Sequence, residues 1–308
     1  MNGIEKMDAA QNEATQEVLP ARKRHGRAGS LIMHMGLQWL DRLGWVPSRT
    51  TTYLGRPFVY PFDSVIGRQI ARGEQWDDVL ATIIPALLPV DDPVICEVGS
   101  NIGASLLQIK KVKSAAHVLA FEPSNRFRPF LERNVKLAGL EHVEISSLLV
   151  GRSSGTTWLY NNASSASASH ASYARHRPRR KQQAAMTTLD EMFRQRPRVD
   201  MIKVDTDGFD FEVLRGAEET LKRDSPILFF EFFPALLSTP ANDLAWLQSA
   251  GYAQFVCFTP DGKSPEVMNN VDQAITYASA NTYCDILVCR EGAPSPAKMD
   301  ALVGQLSH

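Results

Sequence analysis

From residue 93 onward, short apolar segments alternate with amphipathic ones, and this alternation is what most constrains the fold. The predicted strands are VICEV, HVLAFE, VEISSLLV, TTWLYN, DMIKVD, ILFFEF, YAQFVCF and DILVCR. The predicted helices lie near 103–112, 125–138, 209–223 and 241–250. Such alternation favours an α/β fold with a mostly parallel sheet and helices on both faces. No clear helix separates the last two strands, which we expect to pair as an antiparallel edge.

The flanking regions differ in composition from this α/β domain, which we place at 91–290. Residues 1–29 contain few large apolar side chains and end in a basic run, so we expect a mobile leader. Residues 30–90 combine a predicted helix (LIMHMGLQWLDRLG), a strand-like stretch (TTYLGRPFVYP) and a helical period from Trp76 to Leu88. They predict an N-terminal cap. Residues 291–308 are interpreted as a C-terminal tail.

One stretch, 162–186, interrupts the alternation. Its first half is rich in Ser and Ala and its second half is basic. We interpret it as a flexible surface loop, and a substrate lid or anion-binding loop is the alternative, because long loops in compact domains are often functional. His170 and His176 could serve as a base if the loop closed. A nucleic-acid arm is disfavoured because Tyr173 is the one aromatic residue in this stretch that could stack on a base.

Bulk composition excludes several classes of protein. The formal net charge is −1, so no general attraction to nucleic acid or anionic membranes is expected. The four cysteines lie in or beside apolar runs without a CxxC pair, which is typical of buried thiols in a reducing compartment. No segment approaches the length of a membrane span, and the N-terminus lacks a secretory apolar region. We therefore expect a cytoplasmic protein, and the sequence leaves its oligomeric state open.

The first predicted strand runs into a glycine turn, ICEVGSNIG, which predicts a ligand site. Glu97 ends the strand, and Gly99, Ser100, Asn101 and Gly103 form the turn before a helix. Glycines allow a tight turn and close approach of a ligand, and the helix N-terminus supplies free N–H groups. In open α/β sheets, ligands bind at this end of the strands.

The spacing of the turn separates two cofactors. A dinucleotide site requires G-x-G-x-x-G, but Asn101 occupies the position of the middle glycine. An acid before G-x-x-x-G suits a ligand with a cationic amino-acid end and no pyrophosphate, such as S-adenosylmethionine. The second strand ends in Glu122, Pro123 and Ser124, where an acid is placed to accept hydrogen bonds from ribose hydroxyls.

Together these motifs resemble the FkbM family of methyltransferases. The resemblance covers about 94–290 and rests on EVGSNIG, AFEPS, the Thr188–Asp190 triplet TLD, and IKVDTDGFDFEVLRGAEETL followed by ILFFEF. It implies a class I methyltransferase (Rossmann-like) fold with a seven-stranded sheet, and O-methylation of a hydroxyl on a sugar, glycolipid precursor or natural-product scaffold. Two departures stand out: Glu97 lies where Asp is commoner in the family, and the 162–186 insert is unusually long and basic.

Catalytic candidates cluster where the strand DMIKVD ends. O-methylation requires alignment of the acceptor and removal of its hydroxyl proton. Asp205 is the first choice as base or acceptor anchor, with Asp207 and Lys203 beside it; Asp210 and Glu212 are further acids in this segment. Asp205 with Glu231, at the end of the next strand, could hold Mg²⁺ or Ca²⁺. No complete set of metal ligands is readable, so S-adenosylmethionine is the one cofactor we predict.

Three rival functions follow from the same residues. A nucleic-acid methyltransferase could use the basic loop, but the N-P-P-[YF] signature of amino-methylating enzymes is absent from the sequence. A catalytically silent protein could retain cofactor binding alone. An NAD-dependent oxidoreductase is disfavoured by Asn101. We expect a small-molecule or carbohydrate acceptor, and the sequence does not identify it.

Overall fold

The computed structural model describes residues 46–162, 164–169, 180–263, 265–290 and 296–306. The predicted leader (1–29), the first predicted helix of the cap and the loop residues His170, Tyr173 and His176 lie outside the described residues.

The secondary structure begins with an N-terminal hairpin and continues into alternating strands and helices. The first half contains β1 (Ser48–Tyr53), β2 (Arg56–Pro61), α1 (Val65–Ala71), α2 (Leu80–Leu87), β3 (Val94–Val98), α3 (Ala104–Val112), β4 (His117–Phe121), α4 (Arg128–Leu137), β5 (Val143–Ser146), β6 (Leu149–Val150), β7 (Gly155–Asn161) and β8 (Ala166–Ser167). The second half contains β9 (Arg180–Thr187), α5 (Leu189–Phe193), β10 (Met201–Val204), α6 (Asp210–Arg215), α7 (Glu218–Asp224), β11 (Ile227–Phe232), a 3₁₀ turn (Pro234–Leu236), α8 (Pro240–Ser249), β12 (Tyr252–Phe258), β13 (Glu266–Met268), α9 (Val271–Ala280), β14 (Cys284–Arg290) and α10 (Pro296–Leu306).

The central sheet has eight strands in the order β13-β12-β14-β11-β10-β3-β4-β5. The five strands from β11 to β5 are parallel neighbours, while β14 runs antiparallel to both β11 and β12. These seven strands confirm the predicted class I methyltransferase sheet, and β13 adds an antiparallel edge. The last two predicted strands, β12 and β14, do pair antiparallel, but β13 and the unpredicted helix α9 lie between them in the chain.

Alternating side chains of the central strands divide the core into two clusters. On β3, Ile95 points to one cluster, while Cys96 and Val98 point to the other. The Ile95 side is covered by α2, α3, α4 and α10, and the opposite side by α5 to α9. Helices therefore cover both faces of the sheet, as predicted, and the loops at the strand ends remain available for a site.

A second, four-stranded sheet has the order β6-β9-β7-β8. It explains two differences from the sequence analysis. The segment VEISSLLV is split between the two sheets, and the predicted loop 162–186 begins with β8 and ends in β9, whose residues Arg180 to Thr187 pair with β7 and β6. Buried positions such as Ala184 alternate with exposed ones in β9, but Ala, Gln and Lys give this period no hydrophobic contrast.

The N-terminal cap contains a hairpin that packs against the main domain. Leu54 and Gly55 have φ of 49° and 76°, as in a two-residue hairpin turn. Asn134 of α4 accepts a hydrogen bond from the Val59 amide at 2.7 Å and donates to the carbonyls of Val59 and Ile102 at 2.8 and 2.9 Å. These bonds hold β2 beside the loop that follows β3.

The predicted C-terminal tail also differs from expectation, because it contains α10. Met299 and Leu302 of this helix are buried in the Ile95-side cluster beside residues of α2.

Candidate functional site

A cavity of about 960 Å³ opens at the carboxyl ends of the parallel strands. Its walls include Gly99 after β3, Glu122 after β4, Asp205 and Asp207 after β10, and Glu231 near the end of β11. These residues come from four separate predicted segments, and the sheet brings them together where ligands bind in open α/β folds.

Gly99 lets two strand ends approach each other. Its φ is +89°, and a Cβ on it would lie 1.9 Å from the backbone oxygen of Asp205. The amides of Gly99 and Ser100 donate to the carbonyl of Phe121 at 3.0 and 3.1 Å. The glycine turn therefore joins the ends of β3, β4 and β10, so Gly99 is required by backbone packing before any ligand is considered.

The rest of the turn presents backbone to the cavity. Asn101 has a φ of +49°, which Asn tolerates better than most residues, and its amide donates to Glu122 Oε2 at 2.8 Å. Gly103, with a φ of +86°, precedes α3 and provides no side-chain cap. A Cβ on Gly103 would lie 2.8 Å from Leu131 Cδ1. Gly103 thus shapes the helix start, whereas Ser100 and Asn101 line the cavity.

Glu122 is fixed by the two loops it joins. Its Oε1 accepts from the Ser124 amide at 2.8 Å, and its side chain lines the cavity although the residue is only 4% exposed. Burial raises the pKa of Glu122 to about 8, despite these two backbone hydrogen bonds, which act in the opposite direction. Pro123 and Ser124 are not among the lining residues; the Ser124 hydroxyl accepts from the Arg126 amide at 3.1 Å and so shapes the turn.

Glu97 lies beneath the cavity floor. It is fully buried, and the Ser105 hydroxyl donates to its Oε1. Its Oε2 has no hydrogen-bond partner among the described residues. Burial raises the pKa of Glu97, while the charge of Lys203 opposes that shift.

Lys203 is the buried cation of the site. Its Nζ lies 3.2 Å from Asp77 Oδ2 and 3.4 Å from Asp205 Oδ2. Burial acts to lower the pKa of Lys203, but the surrounding carboxylates, Asp77 first, outweigh it and raise that pKa well above its ordinary value. Lys203 does not itself line the cavity, so it holds Asp205 in place from behind.

The acids after β10 have different roles. Asp207 lines the cavity with a φ of +52°. Asp210 instead closes the turn, since its carboxylate accepts from the amides of Thr206 at 3.1 Å and Gly208 at 3.0 Å. Burial, and then the charge of Asp205, raise the pKa of Asp210 to about 7. Glu212 is not among the lining residues.

Sequence reasoning missed the other wall of the cavity. Asp77, Tyr283, Asp285 and the segment 260–263 all line it, together with Ser164 to Ala166 of the predicted loop. Asp77 has no surrounding motif that would have identified it. Asp285 has a recognisable signal, because it is the one acid inside the apolar strand DILVCR. In the structure it is the direct cross-strand partner of Glu231.

The arrangement fits S-adenosylmethionine. Within the part of the chain that the structure describes, Glu97 Oε2 is a buried acceptor without a partner, which suits a nearby ammonium group. Glu122 faces the cavity, where a carboxylate suits ribose hydroxyls. Within the described residues, no group of three or more His, Cys, Asp or Glu side chains is arranged to hold a metal ion, so Asp205 and Glu231 do not form part of such a group there.

A comparison with known families shows which family the chain belongs to. The sequence model described as the methyltransferase FkbM domain matches residues 97–253, just over half of the chain. The chain belongs to the FkbM methyltransferase family. The range matched in this FkbM methyltransferase contains the glycine turn, Glu122, Lys203, Asp205 and Glu231, whereas Asp77, Tyr283 and Asp285 lie outside it.

Individual relatives of this FkbM methyltransferase are distant. Methyltransferase 1 of Beauveria bassiana (strain ARSEF 2860) is 26% identical over 149 residues, with 42% of this chain and 60% of the relative covered, so the match spans less than two thirds of that protein. Methyltransferase FkbM from Methylobacillus flagellatus KT is a similar solved structure, with 15% identity, a TM-score of 0.46, and 71% of this chain and 49% of that one covered. The solved structure of a SAM-dependent O-methyltransferase from Thermotoga maritima is 14% identical to this chain, with a TM-score of 0.41. The match covers 81% of this chain and 80% of that one.

Among the helices in the described part of this FkbM methyltransferase, none has both the length and the apolar character needed to cross a bilayer.

Proposed function

We propose that this protein is an S-adenosylmethionine-dependent O-methyltransferase that methylates a hydroxyl of a small or carbohydrate acceptor. The observation that carries the proposal is the position of Asp205. Its carboxylate lies on the cavity wall, paired with the buried Lys203 and in backbone contact with the glycine turn at Gly99. A candidate base is thereby fixed next to the predicted cofactor turn.

The cofactor half of the cavity would be formed by the glycine turn and two acids. Glu122 would accept hydrogen bonds from the ribose hydroxyls, and Glu97 would face the amino group. Backbone atoms of Gly99, Ser100 and Asn101 would line the pocket between them. When bound, S-adenosylmethionine supplies an electrophilic methyl group on a sulfonium sulfur; transfer to an acceptor oxygen breaks the C–S bond, forms a C–O bond and leaves a neutral thioether.

Asp205 would accept the proton that the acceptor hydroxyl loses. Its pairing with Lys203 at 3.4 Å fixes the carboxylate at the cavity wall, within reach of an acceptor hydroxyl bound there. Lys203 is a positioning residue in this scheme, because Asp77 and Asp205 hold its ammonium group away from the cavity lining. Asp207 lies on the same wall and would orient the acceptor.

Charge on the cavity wall disfavours a nucleic-acid substrate. Among the described residues that line it, nine are acids, whereas Lys263 is the one lysine or arginine. A phosphate backbone is bound through lysine and arginine, and carboxylates repel it.

The proposal is tested by methyl transfer from S-adenosylmethionine labelled in its methyl group to a panel of hydroxylated acceptors. We expect Asp205→Asn to lower kcat by about 100-fold or more, since general-base catalysis contributes on that order. Affinity for S-adenosylhomocysteine, measured by calorimetry, should stay within about threefold of the wild type, a change below 1 kcal/mol.

Asp272→Asn, on the exposed first turn of α9, is the matched control and should change neither quantity. Unchanged turnover in Asp205→Asn would remove Asp205 as the base. A wild-type protein that binds the cofactor product but labels no acceptor would instead support the catalytically silent alternative.

A further inference from the structure

The acceptor side of the cavity carries more negative charge than the reaction itself requires. Four acids, Asp77, Asp205, Glu231 and Asp285, line this side, and we call them the acidic wall. Lys203 is already in contact with two of them, Asp77 and Asp205. The remaining two acids have no ion-pair partner among the described residues.

Glu231 and Asp285 lie side by side. They are direct partners in the antiparallel ladder between β11 and β14, so their side chains project to the same face of the sheet. Like charges at directly opposed positions destabilise a sheet. Glu231 Oε2 is in addition buried, and no described residue forms a hydrogen bond with it. When both acids are ionised, this pair therefore costs stability unless a cation compensates it, which is typical of groups retained for a ligand.

Aromatic rings complete the wall. Tyr283 lines the cavity, and its ring stacks on Phe233 with 5.6 Å between centroids and 28° between planes. Trp76 lines the cavity as well, and its backbone is fixed by the Tyr53 hydroxyl, which donates to the Trp76 carbonyl at 3.0 Å. Aromatic faces beside carboxylates are a favourable environment for an organic cation.

We propose that the acceptor carries a protonated amine. Glu231 and Asp285 bind this ammonium group while a hydroxyl of the same molecule is methylated. This inference rests on the proposed function and specifies its substrate class: an amino sugar, aminocyclitol or related amino alcohol. The amine is not the methylated atom, because a protonated nitrogen has no free lone pair with which to attack.

Two further observations agree with this assignment. Burial, followed by the mutual repulsion of the site's acids, raises the pKa of both Glu231 and Asp285 well above the ordinary range. Binding of a cation would therefore release protons from the pair. In addition, Asp77, Tyr283 and Asp285 lie outside the range matched by the family. The acidic wall thus combines two acids inside the family region, Asp205 and Glu231, with two outside it, Asp77 and Asp285.

The test uses the full-length protein saturated with S-adenosylhomocysteine, which lacks the sulfonium charge. The probes are 2-deoxystreptamine, a cyclic diamine with several hydroxyls, and its N,N′-diacetyl derivative, which has the same ring without the charges. We expect the diamine to bind at least about tenfold more tightly, a difference of about 1.4 kcal/mol. Calorimetry in buffers of different ionisation enthalpy should detect proton release.

The variants Glu231→Gln and Asp285→Asn preserve side-chain size and remove the charge. Each should weaken diamine binding by about tenfold or more and leave the binding of the diacetyl derivative unchanged. In the absence of ligand, and at a pH high enough to ionise the pair, each should raise the melting temperature, because the like-charge contact is relieved. Glu219→Gln, whose side chain is 77% exposed on α7, is the control and should behave as the wild type.

Equal affinity for the two probes, no detectable binding of the diamine, or full affinity in both variants would overturn the amine assignment. Failure of the proposed function is distinguishable, because it would appear as absent S-adenosylhomocysteine binding or absent methyl transfer in the wild type, and the diamine titration measures neither. The diamine titration is therefore repeated without S-adenosylhomocysteine. Under that condition the affinity for the diamine depends on the acidic wall and not on cofactor binding.

Discussion

At the scale of single residues, the contact between Gly99 and Asp205 connects cofactor binding to catalysis. The glycine turn and the segment that follows β10 and carries the candidate base are in contact through backbone atoms. The space beside the Gly99 Cα is too small for any side chain larger than a hydrogen atom. A change in one therefore displaces the other.

Gly99→Ala tests this contact. We expect loss of at least about 4 kcal/mol of unfolding free energy, because the added Cβ meets the backbone oxygen of Asp205 and the backbone must move. Gly73→Ala is the matched control: its φ of +90° is nearly the same, but no atom lies within 4 Å of the added Cβ. It should cost only about 1–2 kcal/mol for the left-handed conformation. Equal losses in urea unfolding would show that the contact with Asp205 is unimportant.

Glu122 predicts a dependence of stability on pH. Its folded-state pKa is about 8 and its ordinary value is 4.5. Between these values the folded protein binds a proton at Glu122 that the unfolded chain does not, so this residue's contribution to stability falls as pH rises. The fall should be at most about 1.4 kcal/mol per pH unit and should end above pH 8.

Glu122→Gln removes that titration. The free energy of unfolding of the variant, relative to the wild type, should therefore rise between pH 5 and pH 8 in urea titrations. Other buried acids, such as Asp210, titrate in both proteins and cancel in the difference. A difference that stays constant with pH would mean that Glu122 is ionised throughout this range.

At the scale of secondary-structure elements, the predicted helix 209–223 is two helices, α6 and α7, separated at Gly216. The interruption lets Gly216 lie against the backbone of Gly151, whose oxygen would be 2.0 Å from an added Cβ. The Gly216 carbonyl also accepts from the Asp190 amide at 3.0 Å. The break therefore serves to dock the helix pair on the loop between β6 and β7 of the second sheet.

Gly216→Ala should consequently destabilise the protein by about 3 kcal/mol, as expected for overpacking, although alanine favours helix. Gly304→Ala, inside α10 with open space around its Cα, should instead stabilise the protein by up to about 1 kcal/mol. Chemical unfolding should show a lower free energy of unfolding for Gly216→Ala and a higher one for Gly304→Ala. A stabilising Gly216→Ala would show that the contact with Gly151 can relax.

An element could be predicted from the sequence when its buried and exposed positions differ clearly in hydrophobicity. Buried parallel strands such as ILFFEF are nearly continuous apolar runs, and their presence and their helical cover on both faces were predicted correctly. Strand β9 was not recognised, because Ala and Gln occupy its inward and outward positions alike. Within the site, motif residues such as Glu122 were identified by spacing, whereas Asp77 reaches Lys203 only through packing of the cap.

At the scale of the whole molecule, the family region is not the complete structural unit. Residues 97–253 supply most of the sheet, but the Ile95-side cluster is completed by α2 before them and α10 after them. The described cap and the C-terminal helix therefore close one face of the central sheet, beyond the boundaries 91–290 that the sequence analysis predicted for the domain.

Leu302→Ala measures how much α10 contributes. Leu302 is 2% exposed and packs in the same cluster as Leu80 and Ile83 of α2, so its truncation should cost about 3 kcal/mol of unfolding free energy. Gln305→Ala, an exposed change in the same helix, should stay within about 0.5 kcal/mol of the wild type. Because none of the described residues of α10 lines the cavity, S-adenosylhomocysteine affinity at low urea should be retained in both variants. If Leu302→Ala lowered the free energy of unfolding by less than about 1 kcal/mol, α10 would lie outside the cooperative core. Residues 296–306 would then be a tail, as the sequence analysis predicted.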